Sequence, residues 1–264
     1  MTTKISALLI CYNEEDHIQR FINEAKTYAD EIIIVDSFST DKTVQIINEN
    51  KDVILHQRVF DNFTTQRNYA ISLANNEWVT FFDTDEELPE KLIKEIVNTV
   101  NNNVNEAYFG HLDFYFQNKK INFSGQQSVK SVRLFQKSKC HFLDNRMVHE
   151  TMYCETEIGH LKTKIKHHTF SNENMYLDKL NSYSKLRAKE LRLRNLKPTF
   201  FHYKIKPAYR FFNYYFIRLG ILDGKEGYTI SKLHAISVAN RYKYLDEIYK
   251  EEGLNQNNIP KFNL

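Results

Sequence analysis

Four short apolar runs, each followed by a segment of helical periodicity, fill the first hundred residues and constrain the fold more than any other feature of the chain. The runs are residues 4–11, 31–35, 53–56 and 78–82, apolar nearly throughout rather than at alternate positions. Strands of that kind are buried on both faces, and strands alternating with helices build a parallel sheet covered on both sides. The first helix is expected to bury Ile18, Phe21, Ile22, Ala25 and Ala29 on one face. A second carries Val44 and Ile47 behind a Ser39 or Thr40 cap. A third covers 63–74, and a fourth covers 88–100 with Leu88, Leu92 and Ile96 on one side. None of the seven glycines precedes Gly110. The glycine-rich dinucleotide turn, the P-loop and the G-x-S-x-G elbow are therefore excluded from this half.

Beyond residue 105 the pattern changes. Residues 111–117, 121–124 and 131–137 read as antiparallel strands, the first two joined by a turn at 118–120, and helical signal returns at 175–195 and from 207 to about 222. The expected fold class is α/β: a Rossmann-like, mostly parallel sheet with helices on both faces, an antiparallel extension and a helical C-terminal region. The boundaries fall at 1–105, 106–172 and 173–264.

Net charge is +3, yet residues 1–100 hold 9 Lys and Arg against 18 Asp and Glu, which leaves 27 against 15 for the remainder. An acidic half suits a metal or a hydrogen-bonding pocket, and a basic one suits phosphates or an anionic surface. Cys11, Cys140 and Cys154 form neither a disulfide framework nor metal-ligand spacing, which points to a reducing compartment. The apolar stretch 5–11 is too short and too acidic behind it for a signal peptide, and no run approaches a membrane span. A cytoplasmic protein, at most resting on the inner face of a membrane, is expected.

Ligands of open parallel sheets bind beyond the carboxyl ends of the strands. Three such ends here are polar: Asn13-Glu14-Glu15 after the first strand, Asp36 after the second, and Asp83-Thr84-Asp85 after the fourth. Asp83 and Asp85, two apart in extended backbone, project to the same side. Oxygen donors so placed suit Mg²⁺ or Mn²⁺, which in phosphate sites take one or two carboxylates and fill the rest with phosphate and water.

These stretches, Leu-Leu-Ile-Cys-Tyr-Asn-Glu-Glu, Ile-Ile-Ile-Val-Asp-Ser-Phe-Ser-Thr-Asp, Gln66-Arg67-Asn68-Tyr69-Ala70 and Phe-Phe-Asp-Thr-Asp-Glu, resemble in order the family 2 glycosyltransferases, inverting enzymes with a GT-A fold. Val132-Arg133-Leu134-Phe135, Val148-His149-Glu150, Ile165-Lys166-His167-His168 and Leu219-Gly220-Ile221-Leu222-Asp223-Gly224 resemble the branch containing lipopolysaccharide-core glucosyltransferases. One departure is Asp36-Ser37-Phe38-Ser39, where many members have Asp-Asp-Gly-Ser. The resemblance implies that residues 1–105 bind a nucleotide sugar and 106–172 face the acceptor. It assigns Tyr12, Asn13 and Glu14 to the base and ribose, Asp36 to the uracil ring, Arg67 to the nucleotide, Asp83 to the ribose side and Asp85 to a bridging metal.

Inversion by single displacement needs a carboxylate to take the acceptor's proton. The candidates are Glu150, favoured because it matches the Val-His-Glu motif, and Asp144. His149 orients that region, contacts acceptor or simply packs. His167 completes the metal shell or touches the diphosphate, with His168 its equal on spacing alone, and Arg133 is a phosphate contact or an edge-strand arginine. Residues 177–218 hold eleven Lys and Arg, two acids and a crowd of aromatics, which suits an anionic membrane surface, a packed core with a solvated face, or nucleic acid. Recognised nucleic-acid motifs are absent, and the acidic half repels a phosphate chain, so nucleic acid is not expected as a partner. The expected function is metal-dependent transfer of a hexose, glucose by resemblance, from a UDP-sugar to a saccharide hydroxyl of a lipid-linked acceptor. The alternatives are a phosphohydrolase with Asp83 as nucleophile and a non-enzymatic nucleic-acid-binding module.

Overall fold

The computed structural model describes residues 3–102, 104–125, 130–143, 152–170 and 173–254. The chain forms two compact units, one of residues 1–113 and 128–167, the other of 114–127 and 168–264.

The first unit has the expected α/β architecture. Strands β1 (Ile5–Cys11), β2 (Glu31–Asp36), β3 (Val53–Gln57) and β4 (Trp78–Phe81) lie in the order β3-β2-β1-β4, all parallel. The short β5 (Glu86–Glu87) follows. Beside β4 the sheet turns antiparallel through β8 (Lys130–Gln136) and β6 (Ala107–Phe116), then β12 (Ile165–Phe170) and β5. β11 (Ile158–His160) pairs in parallel with β6, and β9 (Cys140–Phe142) forms a separate ribbon with β10 (Met152–Cys154).

Both faces of the parallel part are covered, as continuous apolar strands require. Ile5, Ala7, Leu9 and Cys11 of β1 point into a core with helices α1 (Ile18–Ala25) and α4 (Glu90–Asn102) and with Ile47 of α2 (Thr43–Glu49). Leu8, Ile33 and Val35 point the other way, onto Ala70 and Ile71 of α3 (Phe63–Leu73). Two local expectations are corrected. Neither Ser39 nor Thr40 caps α2. Asp41 instead accepts the Thr43 amide at 3.0 Å, because Ser39 and Thr40 are engaged with Asp36 and Asn13. The cysteines do not all stay unpaired: the β9–β10 register sets Cys140 directly opposite Cys154, and the two are joined in a disulfide while Cys11 is buried and free.

The second unit is largely helical: α5 (Glu173–Leu193), α6 (Lys206–Phe212) between two π-helical turns at Phe201–Ile205 and Asn213–Ile217, a 3₁₀ turn at Gly220–Asp223, and α7 (Lys225–Glu251). The strand expected at 121–124 forms earlier, as β7 (Lys119–Ile121), since Gln117 and Asn118 take positive φ and close the turn there. Helices α5 and α7 approach closely through small polar side chains, Ser184 and Ser237 hydrogen-bonding at 2.8 Å. The Leu219–Gly224 motif is architectural. Asp223 is buried and accepts the amides of Asn122 and Phe123 and the Ser124 hydroxyl, at 2.9 to 3.0 Å. A side chain at Gly227 would meet the Gly220 carbonyl.

Candidate active site

The parallel registers place Cys11 beside Asp36 and Leu8 beside Phe81, so the loops after β1, β2 and β4 open at one end of the sheet. The first two loops are laced together. The Asn13 amide donates to Ser39 Oγ at 2.8 Å, Asn13 Oδ1 accepts the Thr40 amide at 2.8 Å, and the Glu14 amide donates to Thr43 Oγ1 at 2.7 Å. Tyr12 stands out of this lattice with its ring exposed.

Asp36 is wholly buried. One oxygen accepts from the Ser39 amide and from Gln57, at 2.9 and 3.0 Å, and the other accepts the Ser39 hydroxyl with the Cys11 thiol 3.7 Å away. A uracil N–H reaches this carboxylate only by displacing one of those donors. Phe38, the departure from the glycine of the resembling motif, has φ of 61°. The backbone thus keeps the left-handed conformation glycine favours, at a cost of roughly 1–2 kcal/mol for a residue with a Cβ.

The third loop is held by charge. Asp83 receives Arg67 on one oxygen at 3.2 Å and Arg133 on the other at 3.0 Å. Burial opposes ionisation of Asp83, but the two guanidinium groups outweigh it and hold the carboxyl well below its ordinary range. Arg133 is buried on β8 and also donates to the Phe81 carbonyl at 3.0 Å and to Glu86. Its terminal nitrogens are thereby committed to protein acceptors. Gly110 on β6 makes room for it, since an added Cβ would stand 2.7 Å from Arg133 Cγ.

Glu86 escaped the sequence reading. It is buried, takes Arg133, and accepts the Asp83 amide at 3.1 Å. Burial, reinforced by repulsion from Asp83 and Asp85, pushes its carboxyl upward in spite of Arg133. The one available signal was its place at the end of the Phe-Phe-Asp-Thr-Asp-Glu stretch.

The two residues of β5 pair antiparallel with β12, His167 opposite Glu86 and Lys166 opposite Glu87. This register separates the two candidate histidines. His167 Nδ1 lies 3.5 Å from Asp85 Oδ1, whereas His168 stacks on Tyr115 at 5.1 Å between centroids. Among the described residues no group of three or more His, Cys, Asp or Glu surrounds one point as a metal cage. A carboxylate and an imidazole facing each other still fit a divalent ion that takes its remaining ligands from a diphosphate and water. Adjacent corners of an octahedron with ~2.1 Å bonds are about 3 Å apart, close to the spacing seen.

The Gln66-Arg67-Asn68 motif on α3 clamps this end of the sheet. Gln66 reaches Ser37 Oγ at 3.2 Å and takes Arg58, Arg67 meets Asp83, and Asn68 exchanges two hydrogen bonds with the Phe142 backbone at 2.8 and 2.9 Å. Beside Arg67 opens a cleft of about 420 Å³, lined by Arg67, Phe81, Asp83, Lys130 and Phe142 among others. Glu150, Asp144 and His149 lie outside the described residues.

Asp36, Asp83 and Asp85 lie beyond the ends of parallel strands, Arg67 of α3 and His167 of β12 meet the last two, and no glycine precedes Gly110, which sets a Rossmann dehydrogenase and a P-loop enzyme aside. The profile of glycosyl transferase family 2 matches residues 6–179, and the chain belongs to that family: it is a glycosyltransferase. It is similar over 259 residues to an uncharacterised glycosyltransferase of Rickettsia bellii, 29% identical, covering 94% of this chain and 88% of that one. It is also 29% identical over 192 residues to the SPbeta prophage-derived glycosyltransferase SunS of Bacillus subtilis, covering 66% of this chain and 45% of that protein. Among solved structures, S. aureus TarS 1-349 in complex with UDP-GlcNAc aligns with a TM-score of 0.48 and 14% identity over 96% of this chain and 93% of that one.

Proposed function

We propose that this glycosyltransferase is inverting, has the GT-A fold, and transfers a hexose, glucose in the first instance, from a UDP-sugar to a saccharide hydroxyl of a lipid-linked, lipopolysaccharide-core-like acceptor. It works on the cytoplasmic face of the membrane with a divalent cation, Mn²⁺ or Mg²⁺. The observation that carries the reading is the convergence of Asp83, Asp85, Arg67 and His167 at the carboxyl end of β4.

In this reading Tyr12 packs on the uracil and Asn13 and Glu14 shape the ribose end. Asp36 takes the uracil N–H in place of a present donor, and Asp83, kept ionised by its two arginines, accepts from the ribose. Asp85 and His167 would hold the cation, whose positive charge when bound would supply electrostatic stabilisation to a departing diphosphate. Arg67 adds positive potential at the same place. The acceptor hydroxyl attacks the anomeric carbon from the face opposite the diphosphate, the glycosidic carbon–oxygen bond to UDP breaks, and the hydroxyl proton passes to a carboxylate. Glu150 is assigned that proton and Asp144 is the alternate base; His149 contacts the acceptor. Both oxygens of Asp83 are in ion pairs, which disfavours a phosphohydrolase nucleophile there, and family membership sets the nucleic-acid module aside.

The test is a panel of nucleotide sugars with Mn²⁺ and glycolipid acceptors, read as nucleoside diphosphate release and as the anomeric configuration of the product. UDP release with an inverted product supports the proposal. Release from guanosine or thymidine donors alone, or retention of configuration, overturns it.

A further inference from the structure

The helical unit presents an apolar stripe to solvent. Residues 201–217 run as one continuous helical rod, π-helical at each end and α-helical between. Along it Phe201, Ile205, Tyr209, Phe212 and Phe216 recur at spacings of 4, 4, 3 and 4, the period of one helix face. All five are exposed, between 46% and 60%. The opposite side is already used, with Tyr214 buried and Phe211 against Tyr228. At the end of the rod and beyond it the apolar surface continues through Ile217, Leu219 and Leu222, each at least 45% exposed.

The chain segment that carries this stripe has charge of one sign, although Asp246 of α7 accepts the Tyr203 hydroxyl near its start. From residue 191 to residue 222 there are seven Lys and Arg and no Asp or Glu. The acid that ends the interval, Asp223, is buried, and the next, Glu226, pairs with Lys119 at 2.6 Å. The basic residues of α5 are a poorer surface than their number suggests: Arg187 pairs with Glu190, and Arg192 pairs with Glu252 and lies over Tyr249.

We infer that the helical unit docks on an anionic lipid bilayer through this stripe, lying in the interface with Phe201, Ile205, Tyr209, Phe212 and Phe216 among the acyl-chain ends and Lys197 and Lys204 at the headgroups. The rod is about 25 Å long at the α-helical rise, enough for a helix in the interfacial plane and too polar on its other face to span. Among the described residues no helix is long and apolar enough to cross a membrane. Aromatic rings favour the headgroup boundary, and each Lys or Arg beside an anionic leaflet strengthens binding about fivefold. A second copy of the chain is a worse occupant, because a two-fold interface would set this net positive segment against itself. The inference rests on the peripheral location proposed above and not on the sugar chemistry.

Full-length protein is sedimented with phosphatidylcholine vesicles, with and without phosphatidylglycerol, alongside UDP calorimetry and a melting curve. The wild type is expected to bind only the anionic vesicles, less so as salt rises. Phe201→Ser with Phe212→Ser and Phe216→Ser, each about half exposed, should weaken that binding about a hundredfold at unchanged UDP affinity, the protein remaining folded in the melting curve. Replacing Lys197 and Lys204 by glutamate should weaken it by about 25-fold or more. A Phe212→Trp reporter should shift to the blue on anionic vesicles, over a constant emission from Trp78, which burial keeps from the lipid. Absence of vesicle binding by folded, UDP-binding protein overturns the inference. So does equal binding to neutral vesicles, equal binding by the triple serine variant, or a concentration-dependent dimer that the serine substitutions abolish. Loss of UDP binding with vesicle binding intact would instead count against the donor assignment alone.

Discussion

Replacing Arg133 by methionine isolates the electrostatics of the candidate site from its chemistry. The side chain is 6% exposed and satisfies three acceptors at once: the Phe81 carbonyl, Asp83 and Glu86. Methionine keeps much of the volume, so the packing penalty is small. The loss is electrostatic: one fully buried carboxylate and one partly buried carboxylate keep each other's company without a cation between them. Removing one partner of a buried ion pair costs about 3–5 kcal/mol, which corresponds to a fall in melting temperature of roughly 6–20 °C for a unit of this size. Trp78, the only tryptophan, is buried on β4 next to β8, so its fluorescence during urea unfolding reports on this unit. Burial already pushes the Glu86 carboxyl up to about 8 with Arg133 present, so adding Glu86→Gln to the Arg133→Met background should return at least ~1 kcal/mol at pH above 8, where that carboxyl would otherwise be forced to ionise or take up a proton. A single Arg133→Met variant within about 1 kcal/mol of wild type, or a double variant less stable than the sum of the singles, would refute the reasoning.

The other expectations concern chemistry, backbone and pH. Asp85→Ala should abolish Mn²⁺-stimulated transfer with the unfolding midpoint nearly unchanged, and equal stimulation in both proteins would remove Asp85 from the metal site. Glu150→Gln should lower turnover about 10²–10⁴-fold at constant donor affinity; if Asp144→Asn does so instead, the base is Asp144. Phe38→Gly should hold or raise stability by up to about 1 kcal/mol while Phe38→Val lowers it, because the left-handed φ of 61° suits glycine and penalises a β-branched side chain; the opposite order in melting temperature refutes this. His234 is enclosed by Tyr214 and Tyr176, and burial, helped by Arg210 and Arg218, pulls its pKa down to about 3. Its folded pKa lies below the unfolded value, so its contribution is complete above about pH 6.5 and is lost as pH falls toward 3, at up to ~1.4 kcal/mol per unit. His234→Gln should flatten that part of the stability profile, and an unchanged slope between pH 6 and 4 would exclude it.

The parallel half of the fold and the strand-end aspartates were legible in the sequence because their signals are local. Apolar runs of strand length, helical periodicity between them, and Asp83 and Asp85 just beyond a buried strand need no distant residue to be recognised. Helix α7 was not legible, although it is 27 residues long. Its buried face mixes Gly227, Thr229, Ser231 and Ser237 with Ile230, Leu233, Val238, Tyr242, Leu245 and Tyr249, so an apolar period is present but small polar groups dilute it over the first three turns. The outward stripe at 201–216 was legible only as a basic, aromatic-rich stretch, because composition does not say which of its rings face solvent. What only tertiary structure decided is which side chains share a place. β5 is two residues long and carries no sequence signal, yet its pairing with β12 chooses His167 over His168 to face Asp85. Arg133 lies on a strand that looked like an edge, and it becomes the buried partner of two carboxylates because β8 inserts between β4 and β6. Cys140 and Cys154 meet because a ribbon register sets them opposite, a non-local match that residue spacing does not encode. Composition and period specify which face a residue turns to the core; strand order and register, which depend on contacts far apart in the chain, specify what it meets there.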